Sequence, residues 1–350
     1  MPITSPFRHG FFHMDRGRAV IFVLAASLCA MALFALGAGR YSISITKICS
    51  LIWHHAPVGD AGRNDPSGFV IFHLRLPRIA AAILVGMALS GAGASYQCIF
   101  RNPMVDPALL GVTSGAAFGA ALAIFFSMMI VLIQVWAFVC GLCAVAATVL
   151  MAQTVRKMGD RTMTLILCGI VTSTLFTAFL SLVKYVADPN DKLPAITYWL
   201  MGSLATVSMS EIKITAICIL AGTLPLFLLR WQVNVLSAGE EEAKSMGIPV
   251  GKIRAVIIAA ATLMTASVVS ISGIIGWVGL VVPHLARMLV GPNFTYLYPA
   301  SLLLGALFML TVDTLSRVLF PVEIPIGILT AIVGAPFFVF LLFRGKRGWV

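Results

Sequence analysis

The sequence predicts an all-α polytopic membrane protein with about ten transmembrane helices. Of its 350 residues, 60% are hydrophobic and 11% are charged, and the mean hydropathy is +1.00. A soluble domain carries roughly 25% charged residues. Apolar runs close to the roughly 20 residues that a helix needs to cross about 30 Å of hydrocarbon recur along the whole chain. The runs are continuous rather than alternating, which favours a helical bundle over a membrane β-barrel.

Ten apolar runs are predicted to be spans. They cover residues 19–38, 78–99, 107–126, 130–152, 162–183, 211–229, 255–275, 277–290, 296–319 and 325–343, and the eighth is short. Residues 1–350 are therefore predicted to form a single transmembrane domain, and any energy source or soluble receptor must be another chain. Arg8, Arg16 and Arg18 before the first run resemble the start of a signal peptide. That run exceeds the roughly 7–15 residues of a signal core, so an uncleaved helix is predicted.

Basic residues in the connections predict the orientation. With the N-terminus inside, fifteen of the 24 lysines and arginines fall on the inner side, which places both termini in the cytoplasm. The net charge of +11 then follows from topology and contact with membrane lipid headgroups, and no nucleic acid is needed to explain it. Arg75, Arg78 and Arg317 are the exceptions, because they lie at the outer ends of spans.

Two polar breaks interrupt the predicted helices. The first, FRNPMVDPALLG, contains Asp106 and Pro107 at the inner surface, where irregular backbone is tolerated only if protein or water satisfies it. This break indicates a gate. A similar break is predicted in GIIGWVGLVVPHLAR, since Pro283 follows Arg254 at the same distance along the chain as Pro107 follows Arg78. The equal offsets predict a weak inverted repeat, an arrangement found in many transporters.

The longest inner connection, RWQVNVLSAGEEEAKSMGIPVGKIR, predicts two short helices against the inner membrane face. Ser237 is the expected N-cap, residues 240–242 are glutamates that favour a helix N-terminus, and Gly247 with Pro249 ends the helix. These features fit a docking surface and a solvated charged loop equally well. After the fifth span, DPNDKLPAITYWLMGSL predicts a short outer helix.

The sequence contains no recognisable catalytic or metal-binding motif. The Walker phosphate loop, the nucleophile elbow and H-E-x-x-H are missing, so the chain is predicted not to be an enzyme and to use no cofactor. Cys140 and Cys143 form a C-x-x-C within an apolar run and are predicted to be packing residues. His54 and His55 in the first outer loop have no third ligand at metal spacing.

An ion-driven secondary transporter is the alternative from a different class. It would need intramembrane ionisable residues as a relay for the coupling ion. The candidates are few: Asp313, Glu323 and His284. This scarcity weighs against the alternative, and if transport is active, ATP hydrolysis must be supplied by a partner chain.

Six motifs resemble, in the same order and spacing, the FecCD-type permeases, the membrane subunits of type II ABC importers for iron-siderophores, haem, cobalamin and, in some members, molybdate. They are LRLPR, FRNPMVDPALLGVTSGAAFGA, SAGEEEAKSMGIP, GWVGLVVPHLAR, DTLSR and PIGILTAIVGAPFFVFLL. The first outer loop, about residues 40–68, lies outside the resemblance. The resemblance implies the type II importer permease fold in the bacterial inner membrane. It also implies a homodimer with the pathway at its axis, two cytoplasmic ATP-binding cassette subunits and a periplasmic substrate-binding protein.

The resemblance also implies roles for three groups of residues. A cytoplasmic gate is implied at Asn102, Met104, Thr162 and Met163, although Met163 stands where the cobalamin member has a serine. The coupling helices, about residues 238–252, would contact the ATPases through Gly239, Glu240, Glu241, Glu242, Lys244 and Gly247. Arg75, Arg78 and Arg317 match arginines that receive acidic residues of the binding protein, which exposed cations would steer. Taken alone, the three arginines fit snorkelling anchors at the headgroups better.

Together these features predict the permease subunit of an ATP-driven importer that moves a metal chelate by alternating access. A ferric siderophore or haem is the expected cargo, and cobalamin or molybdate is the alternative within the same family.

Overall fold

The computed structural model describes residues 9–39, 67–155, 161–319 and 321–344, together with 41, 43, 44, 46, 47 and 50. Within these residues the chain is helical and contains no β-strand. The helices are α1 (His9–Gly37), α2 (Ser67–Ile99), α3 (Val112–Phe125), α4 (Ile130–Thr154), α5 (Arg161–Val186), α6 (Lys192–Leu200), α7 (Met209–Leu228), α8 (Arg230–Ala238), α9 (Glu240–Ser245), α10 (Val250–Ser272), α11 (Val278–Val290), α12 (Phe294–Val318) and α13 (Ile326–Arg344).

Every predicted span corresponds to a helix. In the described part of the chain, seven helices are long and apolar enough to cross a membrane, and the shorter apolar helices α3, α11 and α13 account for the other three spans. The predicted boundary of the second span was wrong, because α2 begins at Ser67 and includes a π-helical section, Val70–Arg75, before the α-helix Leu76–Ile99. The third span begins later than predicted, since residues 107–110 form a separate 3-10 turn.

Helices α2 and α10 form the centre of the bundle, and α2 packs against α11 and α12 at backbone contact. A Cβ atom added to Gly86 would lie 2.1 Å from the carbonyl oxygen of Gly305 in α12. A Cβ atom added to Gly93 would lie 1.9 Å from the carbonyl oxygen of Gly279 in α11. Between membrane helices, where the hydrophobic effect gives little attraction, small residues permit this close van der Waals packing.

The first polar break follows α2 directly. Asp106 accepts a hydrogen bond from the Ala108 backbone N–H at 2.8 Å, and this caps the 3-10 helix Pro107–Leu110. Arg101 has a φ of 46°, and Gly111, at the end of the turn, has a φ of 90°. The backbone therefore reverses within a few residues at one end of the bundle.

The second break lies within the predicted stretch GIIGWVGLVVPHLAR, but it comes before Pro283, which the equal offsets had indicated as its position. Pro283 lies inside α11, whereas the chain leaves helical geometry between Ser272 and Val278. Gly273 has a φ of 68° and Trp277 has a φ of 71°, so left-handed residues bound this segment. A proline is tolerated in a membrane helix when its neighbours satisfy the freed carbonyl, so its presence does not mark a helix end.

The two halves of the bundle nevertheless have corresponding parts. In the first half, the 24-residue α-helical part of α2 is followed by a break and then by the 14-residue helix α3. In the second half, the 23-residue helix α10 is followed by a break and then by the 13-residue helix α11. A buried arginine also lies close to the start of each of these two segments: Arg78 in Leu76–Ile99 of α2, and Arg254 in α10. This correspondence fits the predicted inverted repeat.

Backbone hydrogen bonds join several elements at one end of the bundle, which we call the outer end after the orientation predicted from charge. The Ile326 N–H donates to the Gly202 carbonyl at 3.0 Å, and the Ser203 N–H donates to the Ser272 carbonyl at 2.8 Å. The start of α13, the end of α10 and the predicted short outer helix, which is α6, therefore meet there. We call the opposite end, with Ile99 and Glu240, the inner end.

The inner connection contains two short helices, but their boundaries differ from those predicted. They are α8 and α9, and Val250 already belongs to the long helix α10, so residues 250–252 are not part of a separate coupling helix. Ser237 was wrongly predicted as an N-cap. It lies within α8 and its hydroxyl donates to the Asn234 carbonyl at 2.7 Å, while Gly239 occupies the N-cap position of α9.

We expect Gly86→Ala and Gly93→Ala to destabilise the protein by about 1–3 kcal/mol each, because the added methyl group meets backbone atoms that cannot rotate away. Thermal unfolding of the detergent-solubilised protein measures the effect. Gly251→Ala in α10 is the matched control, since an added Cβ there meets no atom within 4 Å. Equal melting temperatures for Gly93→Ala and Gly251→Ala would contradict the close packing.

Candidate functional site

The structure places the predicted gate residues at the inner end. Asn102 and Met104 are exposed, and the Asn102 side chain accepts a hydrogen bond from the Met104 backbone N–H at 2.9 Å, which shapes the turn. Met163 in the first turn of α5 is 57% exposed. Burial raises the pKa of the Asp106 carboxyl in this turn, while the bond from Ala108 lowers it.

A cavity of about 310 Å³ lies between the predicted gate residues and the inner helices α8 and α9. Its lining residues come from four segments of the chain and are Ile99, Phe100, Arg101, Thr162, Leu236, Glu240 and Arg254. The predicted gate residue Thr162 and the predicted coupling residue Glu240 therefore share one cavity, although they are far apart in the sequence.

Helix α9 presents most of its charge to the surface. Its first turn consists of Glu240, Glu241 and Glu242, as the sequence predicted for a helix N-terminus. Lys244 lies 2.9 Å from Glu241, whose side chain is 85% exposed. Gly247, with a φ of 76°, ends this segment in a conformation that favours glycine.

Four charged residues form a cluster at the outer end. Asp313 in α12 is fully buried, and its Oδ1 atom accepts a hydrogen bond from Arg78 Nε at 2.7 Å. Arg78 Nη1 donates to Glu323 Oε2 at 2.9 Å. Arg317 Nε lies 3.2 Å from Asp313 Oδ2, an ion pair whose angle does not make a hydrogen bond. We call Arg78, Asp313, Arg317 and Glu323 the outer charge cluster.

Arg75 is held by backbone rather than by a carboxylate. Its guanidinium group donates to the carbonyl oxygens of Leu36, Gly37 and Tyr41 at the end of α1. This arginine therefore joins the first helix to the start of α2.

The expectation that Arg75, Arg78 and Arg317 are exposed cations was wrong. Their exposed fractions are 5%, 8% and 7%, and hydrogen bonds and ion pairs engage their guanidinium groups. Isolated buried charges are costly, so these arginines are buried because carboxylates and carbonyls compensate them. These three arginines are therefore not snorkelling anchors either, because a snorkelling side chain keeps its charged group in water.

Sequence reasoning missed Asp313 and Arg254 as site residues. Asp313 and Arg317 are spaced i, i+4 in DTLSR, which predicts a pair on one helix face. The partner of Arg78 lies 235 residues away in the chain, and no local pattern indicates it. Asp313 and Glu323, which the secondary-transporter alternative would need as a relay, are both bonded to Arg78.

No group of three or more metal-ligating side chains occurs among the residues that the structure describes. Cys140 and Cys143 lie in the middle of α4, where the Cys140 backbone approaches Gly115 of α3. His54, His55 and most of the first outer loop lie outside the described residues.

Helix α5 exposes a face that changes character along its length. Toward the inner end this face carries Met163, Leu167 and Ile170, and each is more than half exposed. Toward the outer end the face continues with Thr174, Thr177 and Ser181, whose hydroxyls donate to the carbonyl four residues earlier at 2.7–2.9 Å. Their donors are therefore used internally, and the outward side of each oxygen offers only lone pairs.

Comparison with known proteins identifies relatives over nearly the full length. Residues 27–344 match the model of the FecCD transport family. The molybdate import system permease protein MolB of Haemophilus influenzae is 42% identical over 331 residues, which cover 94% of this chain and 96% of that protein. A probable iron chelatin transport system permease protein of Helicobacter pylori is also 42% identical, over 79% of this chain and 83% of its own.

A solved structure shares the fold. It is described as an inward-facing conformation of a metal-chelate type ABC transporter and superposes with a TM-score of 0.83. The two sequences are 40% identical, and the match covers 93% of this chain and 99% of the other.

We expect Asp313→Asn to destabilise the protein by about 3–5 kcal/mol, because Arg317 is left buried without a carboxylate. Asp191→Asn is the matched control. It removes the same charge from an exposed pair with Lys192, and we expect a change below about 1 kcal/mol. Thermal unfolding in detergent compares the two variants, and equal stabilities would show that the outer charge cluster contributes nothing to the fold.

Proposed function

We propose that this chain carries a ferric chelate across the inner membrane. The premise is that the chain belongs to the FecCD transport family and is a permease subunit of an ABC importer. The observation that carries the proposal is the match in sequence and structure over more than nine-tenths of the chain to a metal-chelate type transporter. The chain itself makes and breaks no covalent bond. Two cytoplasmic ATPase subunits supply the energy, and a periplasmic binding protein delivers the chelate to a homodimer of this chain.

Alternating access would move the chelate past the exposed face of α5. Between positions 163 and 181 this face offers apolar groups and hydroxyl oxygens, and no basic side chain lies on it. An oxyanion such as molybdate needs hydrogen-bond donors or cations, whereas the hydroxyl donors are used by the backbone. A large chelate that interacts weakly with its path fits this surface better.

The full-length similarity to the molybdate permease supports molybdate as the second candidate cargo. Relatives named for two different cargoes are equally identical to this chain, so overall identity does not decide between them. The cargo is therefore assigned from the chemistry of the pathway and tested directly.

We expect proteoliposomes that contain the dimer, its ATPase subunits and its binding protein to accumulate a labelled ferric hydroxamate, ferric catecholate or haemin when ATP is present. At equal concentration molybdate uptake should be at least about tenfold lower, because the pathway offers it no donors. A non-hydrolysable ATP analogue is the control. Uptake of molybdate alone would establish the second candidate, and uptake driven by an ion gradient without ATP would establish a secondary transporter.

We propose that the outer charge cluster binds the binding protein. Its arginines are not free cations at the surface, because carboxylates of the same chain already pair with them. Glu323 is its only member with a substantially exposed side chain, at 39%, and it occupies Arg78. An acidic residue of the binding protein would have to compete with Glu323 for that guanidinium group. Helix α13 begins at Ile326, three residues after Glu323, so the competition would act on the start of that helix.

We expect Glu323→Gln to strengthen docking of the binding protein several-fold at low ionic strength, where charge interactions are screened least. The change removes the competing carboxylate and leaves Asp313 to hold Arg78. Asp188→Asn is the control, since it removes an exposed negative charge that does not contact the cluster. Surface plasmon resonance measures both affinities. If Glu323→Gln and Asp188→Asn change the affinity equally, Arg78 and Arg317 have a purely structural role.

A further inference from the structure

Arg254 forms an ion pair that crosses from the central helix α10 to the short inner helix α9. Its Nη2 atom donates to Glu240 Oε2 at 3.1 Å. Arg254 lies in the second turn of α10 and is 8% exposed, whereas Glu240 is the first residue of α9. The pair is partly shielded from water, which makes it stronger than a fully exposed pair of the same length.

Glu240 differs from the other two glutamates of α9 in what it contacts. Glu241 pairs with Lys244 at the exposed surface, and Glu242 turns back toward Gly239. Glu240 also lies 3.9 Å from Lys244, in addition to its bond with Arg254. Only Glu240 of these three is bonded to a residue of α10 in the described structure. Glu241 and Glu242 therefore remain available to a partner, while Glu240 faces the bundle.

The ion pair adds a second connection between α9 and α10. Residues 246–249 connect the two helices, and in this connection Gly247 has a φ of 76° with no neighbour within 4 Å of an added Cβ. The connection alone would let α9 tilt without moving α10. With Arg254 bonded to Glu240, a displacement of α9 is transmitted to α10 at a second point.

The same pair borders the gate. Arg254 and Glu240 line the cavity of about 310 Å³ that also contacts Arg101, which follows α2, and Thr162 at the start of α5. A movement of the pair thus changes the space between the two segments that carry the predicted gate residues.

We propose that the Arg254–Glu240 ion pair is the link through which movement of α9 reaches α10 and the inner gate, which makes Arg254 a positioning residue for transport. The inference rests on the proposed function, because it requires that an ATPase subunit moves α9. Arginine suits this place since its planar fork stays charged and holds a fixed geometry, which the flexible lysine ammonium does not.

The test uses the complete complex in proteoliposomes and measures the substrate transported per ATP hydrolysed. The variants are Glu240→Gln, Arg254→Met and the exchange Glu240→Arg with Arg254→Glu. For both single variants we expect ATPase subunits to co-purify and to hydrolyse ATP, while transport per ATP falls by about tenfold, because removal of one partner breaks the pair. The exchange should restore transport above either single variant, since it rebuilds the pair in reverse.

Arg230→Met is the matched control for Arg254→Met. Arg230 is another inner arginine, but its guanidinium lies over the Phe227 ring, 4.5 Å from the centroid, and its loss should leave transport per ATP unchanged. Normal transport per ATP in Glu240→Gln, or no recovery in the exchange, overturns the link. Loss of the ATPase subunits in Glu240→Gln also overturns it, because Glu240 would then contact the partner directly.

A triple replacement of residues 240–242 by glutamine separates this inference from the proposed function. If the triple variant impairs transport or assembly while Glu240→Gln behaves as wild type, α9 couples to the ATPase without the ion pair. If the triple variant also assembles and transports normally, the coupling role of α9 itself is wrong.

Discussion

The structure depends on the backbone contact between α2 and its neighbours α11 and α12. At Gly86 against Gly305, and at Gly93 against Gly279, no side chain fits between the helices. In a bilayer this close approach supplies much of the attraction that apolar burial gives a soluble core. It also fixes the height of α2 relative to α12, so that Arg78 reaches Asp313 at the outer end. At the inner end the same helix leads into the turn between Arg101 and Gly111, where the gate is predicted.

Each central helix carries a buried arginine, and this placement has an electrostatic cost that the fold must offset. A guanidinium group removed from water is stable only when carboxylates or carbonyls replace its hydration. Arg78 receives Asp313 and Glu323, while Arg254 receives Glu240. In both cases the counter-charge comes from a different helix or from a loop. The bond from Arg78 to Asp313 joins helices that are far apart in the chain, whereas the bond from Arg254 to Glu240 adds a second connection between consecutive helices.

The sequence was sufficient to predict the ten helical spans and the position of α9, because continuous apolar runs and a cluster of glutamates are local signals. It predicted the surroundings of Arg78 less well, since the partner Asp313 is 235 residues away and neither residue indicates the other locally. Pro283 misled the placement of the second break for a related reason. Whether a proline ends a membrane helix depends on neighbours that satisfy the backbone, and a single sequence does not name them.

The two ends of the bundle differ in how firmly their arginines are held, and this difference indicates where movement begins. At the outer end, Asp313 is fully buried between Arg78 and Arg317, and only Glu323 reaches solvent. At the inner end, Arg254 pairs with a single carboxylate, on a helix of six residues that ends at Ser245, two residues before Gly247. A partner that pushes on α9 therefore works against fewer contacts than one that acts on α12. Under the proposed function, the inner end would move in response to the ATPase subunits, while the outer charge cluster keeps the bundle aligned.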